Sequence, residues 1–283
     1  MPEMISKFKA GLVKFLNAQG QTQLESDLAS MTPEKPAQLI RVFALASRRY
    51  PKSRPAPTDA DQFAVPGHWR VLDWVRVVLL LHAEQVFGGE FIPLLQKLLV
   101  SADAEERSAV NYSLPYLKGS EALHDIATES LRTNIKPVFE SLAHFNPYTK
   151  TGLSGHAFNQ MVLKALFIES ELWPIQGLDE RANPNLARML IDYMRERMAA
   201  KRVVHYELFR AIGGHLEESH LETIRNYFLI THGHTRDAIH LLLRRNLHLP
   251  PCSTYIDQLS AIAPMTPGIS WDMLKEQYHA KRD

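Results

Sequence analysis

Most of the features that would name a reaction are scarce or absent in this chain. A single cysteine, Cys252, in 283 residues excludes an internal disulfide and fits a reducing compartment. It sits in LPPCSTY with no neighbouring histidine, so a structural role outweighs a nucleophilic one. Charge of one sign is lacking too: 32 Lys and Arg stand against 31 Asp and Glu, for a net +1. Nothing there suggests the clustered basic footprint of a nucleic-acid partner, and none is expected. The longest apolar run, VVLLL at 77–81, lies between Arg76 and His82 and is far shorter than a bilayer span. The opening MPEMISKFKAGLVKFLNAQG has no apolar core and no small-residue cleavage site, so no secretory signal is expected. These absences together point to a cytoplasmic protein. G-x-S-x-G, G-x-x-x-x-G-K-[ST] and G-x-G-x-x-G are all missing, as is any strand followed by a glycine-rich loop.

What is present is helical spacing almost throughout. Ile5, Phe8, Leu12 and Phe15 form one stripe, with lysines on the other faces. That basic helix could touch a membrane surface, but packing its stripe on a neighbour is the commoner use. Thr32 before Pro33 predicts a helix running to about Arg48. Residues 51–66 hold four prolines and read as a linker or surface loop. Trp69–Phe87 is apolar around most of its circumference and should be central. Further helices are predicted at 90–100, 104–117, 121–133, 136–145, 155–169, 184–200, 204–213, 217–230, 235–246, 253–262 and 271–280. Asp103 with Glu106 approximates a capping box. The fold class is therefore all-α: an irregular α-solenoid or α/α superhelix of HEAT-like pairs, with a globular helical bundle as the alternative. Residues 1–50 form N-terminal helices and 67–283 a helical domain, or the whole of 1–283 is one domain.

One polar stretch stands out. FNQMVLKALF, 158–167, has Gln160 and Lys164 on one stripe and Asn159 among apolar neighbours, at about 100° per residue. A buried Asn must be hydrogen-bonded, and the loop 146–155 is the expected partner. The next loop, GLDERANP, leads into a helix capped by Asn183, on which Arg188 and Asp192 are spaced to pair. Asn146, Asn159, Asp179 and Arg181 tying these loops down is the conformational reading. A ligand pocket lined by Tyr148, Asn159, Gln160, Lys164 and Arg181 is the functional one. Those seven residues are the ligand- or partner-binding candidates.

Elsewhere the pattern is thin. His232, His234 and His240 in THGHTRDAIH, with Asp237, do not converge, because His240 lies on another face of a helix that His234 caps. No catalytic residue, metal or cofactor is expected. Glu105–Glu106 and Glu217–Glu218 stand at helix starts, where the dipole favours acids.

The run FNPYTKTGLSGHAFNQMVLKALF with PIQGLDERANPNLARMLIDYMRER resembles the EboA family of bacterial metabolite-traffic proteins. Asn146-Pro147-Tyr148, Gly177-Leu178-Asp179 with Arg181 and Ala182, residues 186–197 and the closing ISWDML carry the likeness, in detail over roughly 144–210. A more acidic segment is expected where this chain has Thr149 to Gly155. The resemblance implies a gene cluster whose partners include a TatD-like hydrolase, a prenyltransferase-like membrane protein and a sugar-isomerase-like protein. It implies secondary metabolism: movement of precursors out of the cytoplasm, with scytonemin as the cyanobacterial product. It implies no catalytic residues, since none is assigned in the family. The expectation is a non-enzymatic adaptor or carrier for a small-molecule metabolite, cytoplasmic or peripheral at the inner membrane. An enzyme acting on a small or isoprenoid-like substrate is the rival, although no aspartate-rich motif for magnesium diphosphate is present. A scaffold for partner proteins is the third reading.

Overall fold

The structure, a computed structural model, describes residues 2–55, 66 and 68–280. Among them there is no β-strand, and the all-α class holds. The helices form two compact units, Met1–Leu153 and Ser154–Asp283. The helix pairings described below are compatible with both the superhelical and the bundle reading.

In the first unit the helices are α1 (Pro2–Leu12), α2 (Ala18–Ser30), α3 (Ala37–Arg49), α4 (Val71–Phe87), α5 (Phe91–Ser101), α6 (Ala104–Ser113), α7 (Glu121–Arg132), α8 (Lys136–Ala143) and the single turn α9 (Tyr148–Thr151). The central element is α4. Its residues are hydrophobic on nearly every face, and α1, α3 and α6 cover it. Phe8 and Leu12 of α1 are fully buried, so the basic helix packs its stripe inward. By length and composition alone the stretch Val71–Ser101 could cross a membrane, although the apolar run inside it looked too short. Half of its most apolar window is buried, and near the start of the stretch the buried guanidinium of Arg76 faces Glu106 at 3.5 Å.

Local chemistry explains several boundaries. The capping box forms as read: Glu106 N donates to Asp103 Oδ1 at 2.8 Å and Asp103 N to Glu106 Oε2 at 3.0 Å. The Thr32–Pro33 start is corrected, because residues 33–36 turn and α3 begins at Ala37. Helix α2 has so few apolar residues that periodicity does not reveal it. Asn17 caps it, accepting from Gly20 N, and buried Asp27 holds it to the end of α3 through Arg49 and Tyr50. Residues 56–65 of the Pro-rich stretch lie outside the described residues. The helices before and after it share one core, and the division between units falls at Leu153/Ser154.

The second unit comprises α10 (Gly155–Phe167), α11 (Pro184–Ala199), α12 (Glu207–Ile212), α13 (Glu218–Ile230), α14 (His234–Arg245), α15 (Pro250–Ile262) and α16 (Trp271–His279). Helix α14 packs against α12, α13, α15 and α16, while α11 packs against α10, α12 and α13. Buried Asn246 binds Leu216 N, Gly213 O and Leu242 O, tying the α12–α13 turn to the end of α14. Gly213 has φ +65°, and a Cβ there would stand 2.7 Å from Ala182 Cβ, so glycine is required twice over.

Candidate functional site

Helices α10 and α11 end in the same unusual way. Glu169 and Lys201 adopt φ of 55° and 53°, a left-handed conformation that normally selects glycine at a helix end. Ser170 N then donates to Ala165 O at 2.8 Å and Arg202 N to Arg197 O at 2.8 Å, so both helices close with a six-to-one bond. Beyond the α10 closure Ser170 and Leu172 are buried; beyond the α11 closure Arg202 and Val203 are exposed before Val204 is buried. Between these two ends lies a cavity of about 230 Å³.

Its walls come from both ends and from the last helix. Leu166, Glu169, Ser170 and Glu171 belong to the exit of α10. Tyr193, Arg197 and Val203 belong to the last turns and exit of α11, with His205 just beyond, and Tyr278 comes from α16. The Tyr193 hydroxyl donates to Leu166 O at 3.3 Å, across the two helix ends. Arg197 sends Nε and Nη2 to Val203 O at 3.0 and 2.7 Å, which fixes the rim. The cavity adjoins a wider groove of about 640 Å³, to which Phe167, Glu196, Ala200 and Arg202 contribute. Phe167 and Val203, 74% and 76% exposed, put apolar surface at a mouth that Glu169, Glu196, Arg197 and Arg202 also line.

Behind the cavity stands the buried carboxylate of Glu207. It accepts from Leu172 N at 2.8 Å and lies 3.7 Å from His205 Nδ1. Burial holds its proton on up to about 7, helped by the negative charge of Glu171 and opposed by the backbone donors of Leu172 and Trp173 and by Arg210. His205 and Tyr278 meet at 4.9 Å edge to face, and Tyr206 joins them. Glu171 accepts from Trp173 Nε1 at 2.8 Å and faces His279 Nδ1 at 3.7 Å.

The seven residues expected from sequence lie elsewhere, in three groups. Asn146 is a buried connector of the first unit: its Nδ2 donates to Asn111 O and Ser141 O, and its Oδ1 accepts from Tyr148 N. Tyr148 is half-buried, and burial raises its hydroxyl pKa. In the second unit, Asn159 is buried and hydrogen-bonded as expected, but its partner is the capping residue Asn183 rather than the loop 146–155. The two amides bond reciprocally at 2.9 and 3.2 Å, because the end of GLDERANP brings Asn183 against α10. Arg181 joins this group with its guanidinium 4.4 Å over the Phe158 ring, and burial lowers its pKa. Gln160 is exposed, while Lys164 is half-buried with its pKa lowered by burial.

Asp179 forms the third group, with Arg210 Nη2 at 2.6 Å and Arg245 Nη1 at 2.7 Å. Burial alone would raise its pKa, but the two arginines hold it below the ordinary value. Other expectations are corrected by short-range geometry. Asp192 pairs with Arg195 at 3.0 Å, and Arg188 turns to Asn185 instead. The cap of α14 is Gly233 rather than His234. His240 is buried against Phe228 with Nε2 at 3.0 Å from Ala263 O, while His232 is exposed.

A family model described as "Metabolite traffic protein EboA" matches residues 51–213, more than half of the chain. The chain belongs to the EboA family. The EboA match covers every lining residue named above except Tyr278, and it includes Glu207. No curated protein and no solved structure matches the chain. The site that this EboA member builds was not visible in its sequence, because its frame consists of two helix ends closed without glycine.

Proposed function

We propose that this protein is a non-enzymatic carrier or adaptor in the traffic of a secondary-metabolite precursor, with the cavity between the ends of α10 and α11 as the cargo site. The observation that carries the reading is the cavity itself: about 230 Å³, with Phe167 and Val203 exposed at its mouth and a few convergent polar groups. Such a lining suits a small ligand, and the volume lies below the roughly 300–1,000 Å³ of sites for drug-sized molecules. The family description, metabolite traffic, supports the process. The resemblance supports the setting, in which the chain hands its cargo to a TatD-like hydrolase and a prenyltransferase-like membrane protein at the cytoplasmic side of the inner membrane.

The test is co-purification. The native chain is exposed to a metabolite extract, separated from free small molecules, and its bound compounds are read by mass spectrometry. One compound should be retained unchanged and be lost from Val203→Trp, which fills the mouth. Arg197 binds the backbone oxygen of Val203, so that substitution leaves the rim bonds in place. Release of a chemically altered compound would overturn the carrier reading.

One observation favours an enzyme as the second reading: Glu207, proton-bearing up to about 7, beside His205 at the cavity. Such a pair can donate and accept protons near neutral pH. Conversion of a bound compound by the native chain, abolished in Glu207→Gln, would establish it.

A further inference from the structure

We infer that the cargo site selects a positively charged group, an organic ammonium carried on a small apolar body. The inference rests on the cargo reading above and adds its chemical class. Three features of the cavity and its surroundings favour a cation.

The first is the helix ends. Helices α10 and α11 run for 13 and 16 residues, and the last turns of both line the cavity. A helix C-terminus carries partial negative charge from its aligned peptide dipoles, so two ends converging on one space favour positive charge there, even though the closures bond Ala165 O and Arg197 O. The second is the walls. Glu169 and Glu171 line the cavity together with Tyr193 and Tyr278. Carboxylates with aromatic faces are the chemistry that holds ammonium groups. Arg197 also lines the cavity; Val203 O binds its guanidinium, which lies 5.9 Å from the centre of the Tyr193 ring, and Arg202 lines the adjoining groove.

The third is that the edge of this frame already holds a cation. Lys275 Nζ lies 4.0 Å from the centre of the Trp173 ring, and that indole donates to Glu171. The proton retained by buried Glu207, partly because of the charge on Glu171, agrees with a negative potential in this corner. The mouth, with Phe167 and Val203, would take the apolar body of the ligand.

The experiment compares three probes of one shape in calorimetric titrations of the full chain near neutral pH: benzylammonium, benzyl alcohol and benzoate. Benzylammonium should bind about tenfold or more tighter than the other two, the scale of a desolvated charge contact. Glu169→Gln and Glu171→Gln should each weaken it by about the same factor while circular dichroism stays native. Val203→Trp should abolish binding and Gln160→Ala should leave it unchanged. Benzoate or benzyl alcohol binding as tightly as benzylammonium would overturn the inference. If Val203→Trp still blocked them, the cavity would stand as the cargo site. Benzylammonium binding indifferent to both glutamine variants, or no binding of any probe, would overturn the inference as well. Co-purification of a metabolite is measured separately and does not depend on these results.

Discussion

Two side chains decide how far the unit of α10–α16 tolerates change. Asn159 and Asn183 share two hydrogen bonds, and Asn183 also accepts from Leu186 N as the cap of α11. Asn159→Leu keeps the volume but leaves the Asn183 amide short of a partner. A loss of about 1–3 kcal/mol is expected in denaturant titrations. Gln160→Ala, one residue on and exposed, should stay within about 0.5 kcal/mol. Equal stability of the two variants would remove Asn159 from its place as an anchor. Glu207 predicts a pH dependence. Its folded-state pKa of about 7 lies above the ordinary 4.5, with burial as the main cause. The folded chain therefore binds more protons than the unfolded chain between those values. The contribution to stability is full below about 4.5, falls as pH rises to about 7, and then levels off at a loss on the order of 3 kcal/mol. Glu207→Gln should remove that slope. Thermal unfolding of both proteins from pH 4 to 8 would check it, and parallel curves would count against the buried acid.

At the scale of elements, the sequence was most legible where periodicity and caps agree. The central helix α4, the Asp103–Glu106 box and the Asn183 cap all follow from short-range rules. Helix α2 was not legible, because only Leu24, Asp27 and Leu28 are buried and part of its hold on the fold is the contact of Asp27 with Arg49 and Tyr50, 22 and 23 residues away. The candidate site was missed for a related reason. Polar residues in FNQMVLKALF drew attention to the middle of α10, whereas the cavity lies at its end. A helix end is conspicuous when glycine marks it, and here Glu169 and Lys201 occupy the left-handed positions. Lys201→Gly should relieve the strain at the end of α11 and stabilise the protein by up to about 1 kcal/mol. Lys201 is exposed, so no packing is lost. A lower unfolding midpoint for this variant would mean that the backbone there is not strained.

For the whole molecule, the family match and the physical units have different boundaries. The match runs from 51 to 213, whereas the units are Met1–Leu153 and Ser154–Asp283. Each unit closes its core with residues outside the match. Phe8, Leu12, Leu24, Leu39 and Phe43 are buried in the first, and Ile224, Phe228, Ile239 and Leu242 in the second. Removing them would expose the apolar faces of α4 and α12, and burial of such faces is the main source of stability. Fragment 51–213 should therefore unfold without cooperativity, although it holds every matched position. Fragments 1–153 and 154–283 should each give a helical spectrum and a sigmoidal melt, because each keeps its own core. The second should also bind benzylammonium as the full chain does, since all the lining residues of the cavity, Tyr278 included, lie within it. Circular-dichroism melts of the three fragments, with calorimetry on the second, provide the measurement. A cooperative 51–213, or a disordered 154–283, would show that the cores are not divided at Leu153.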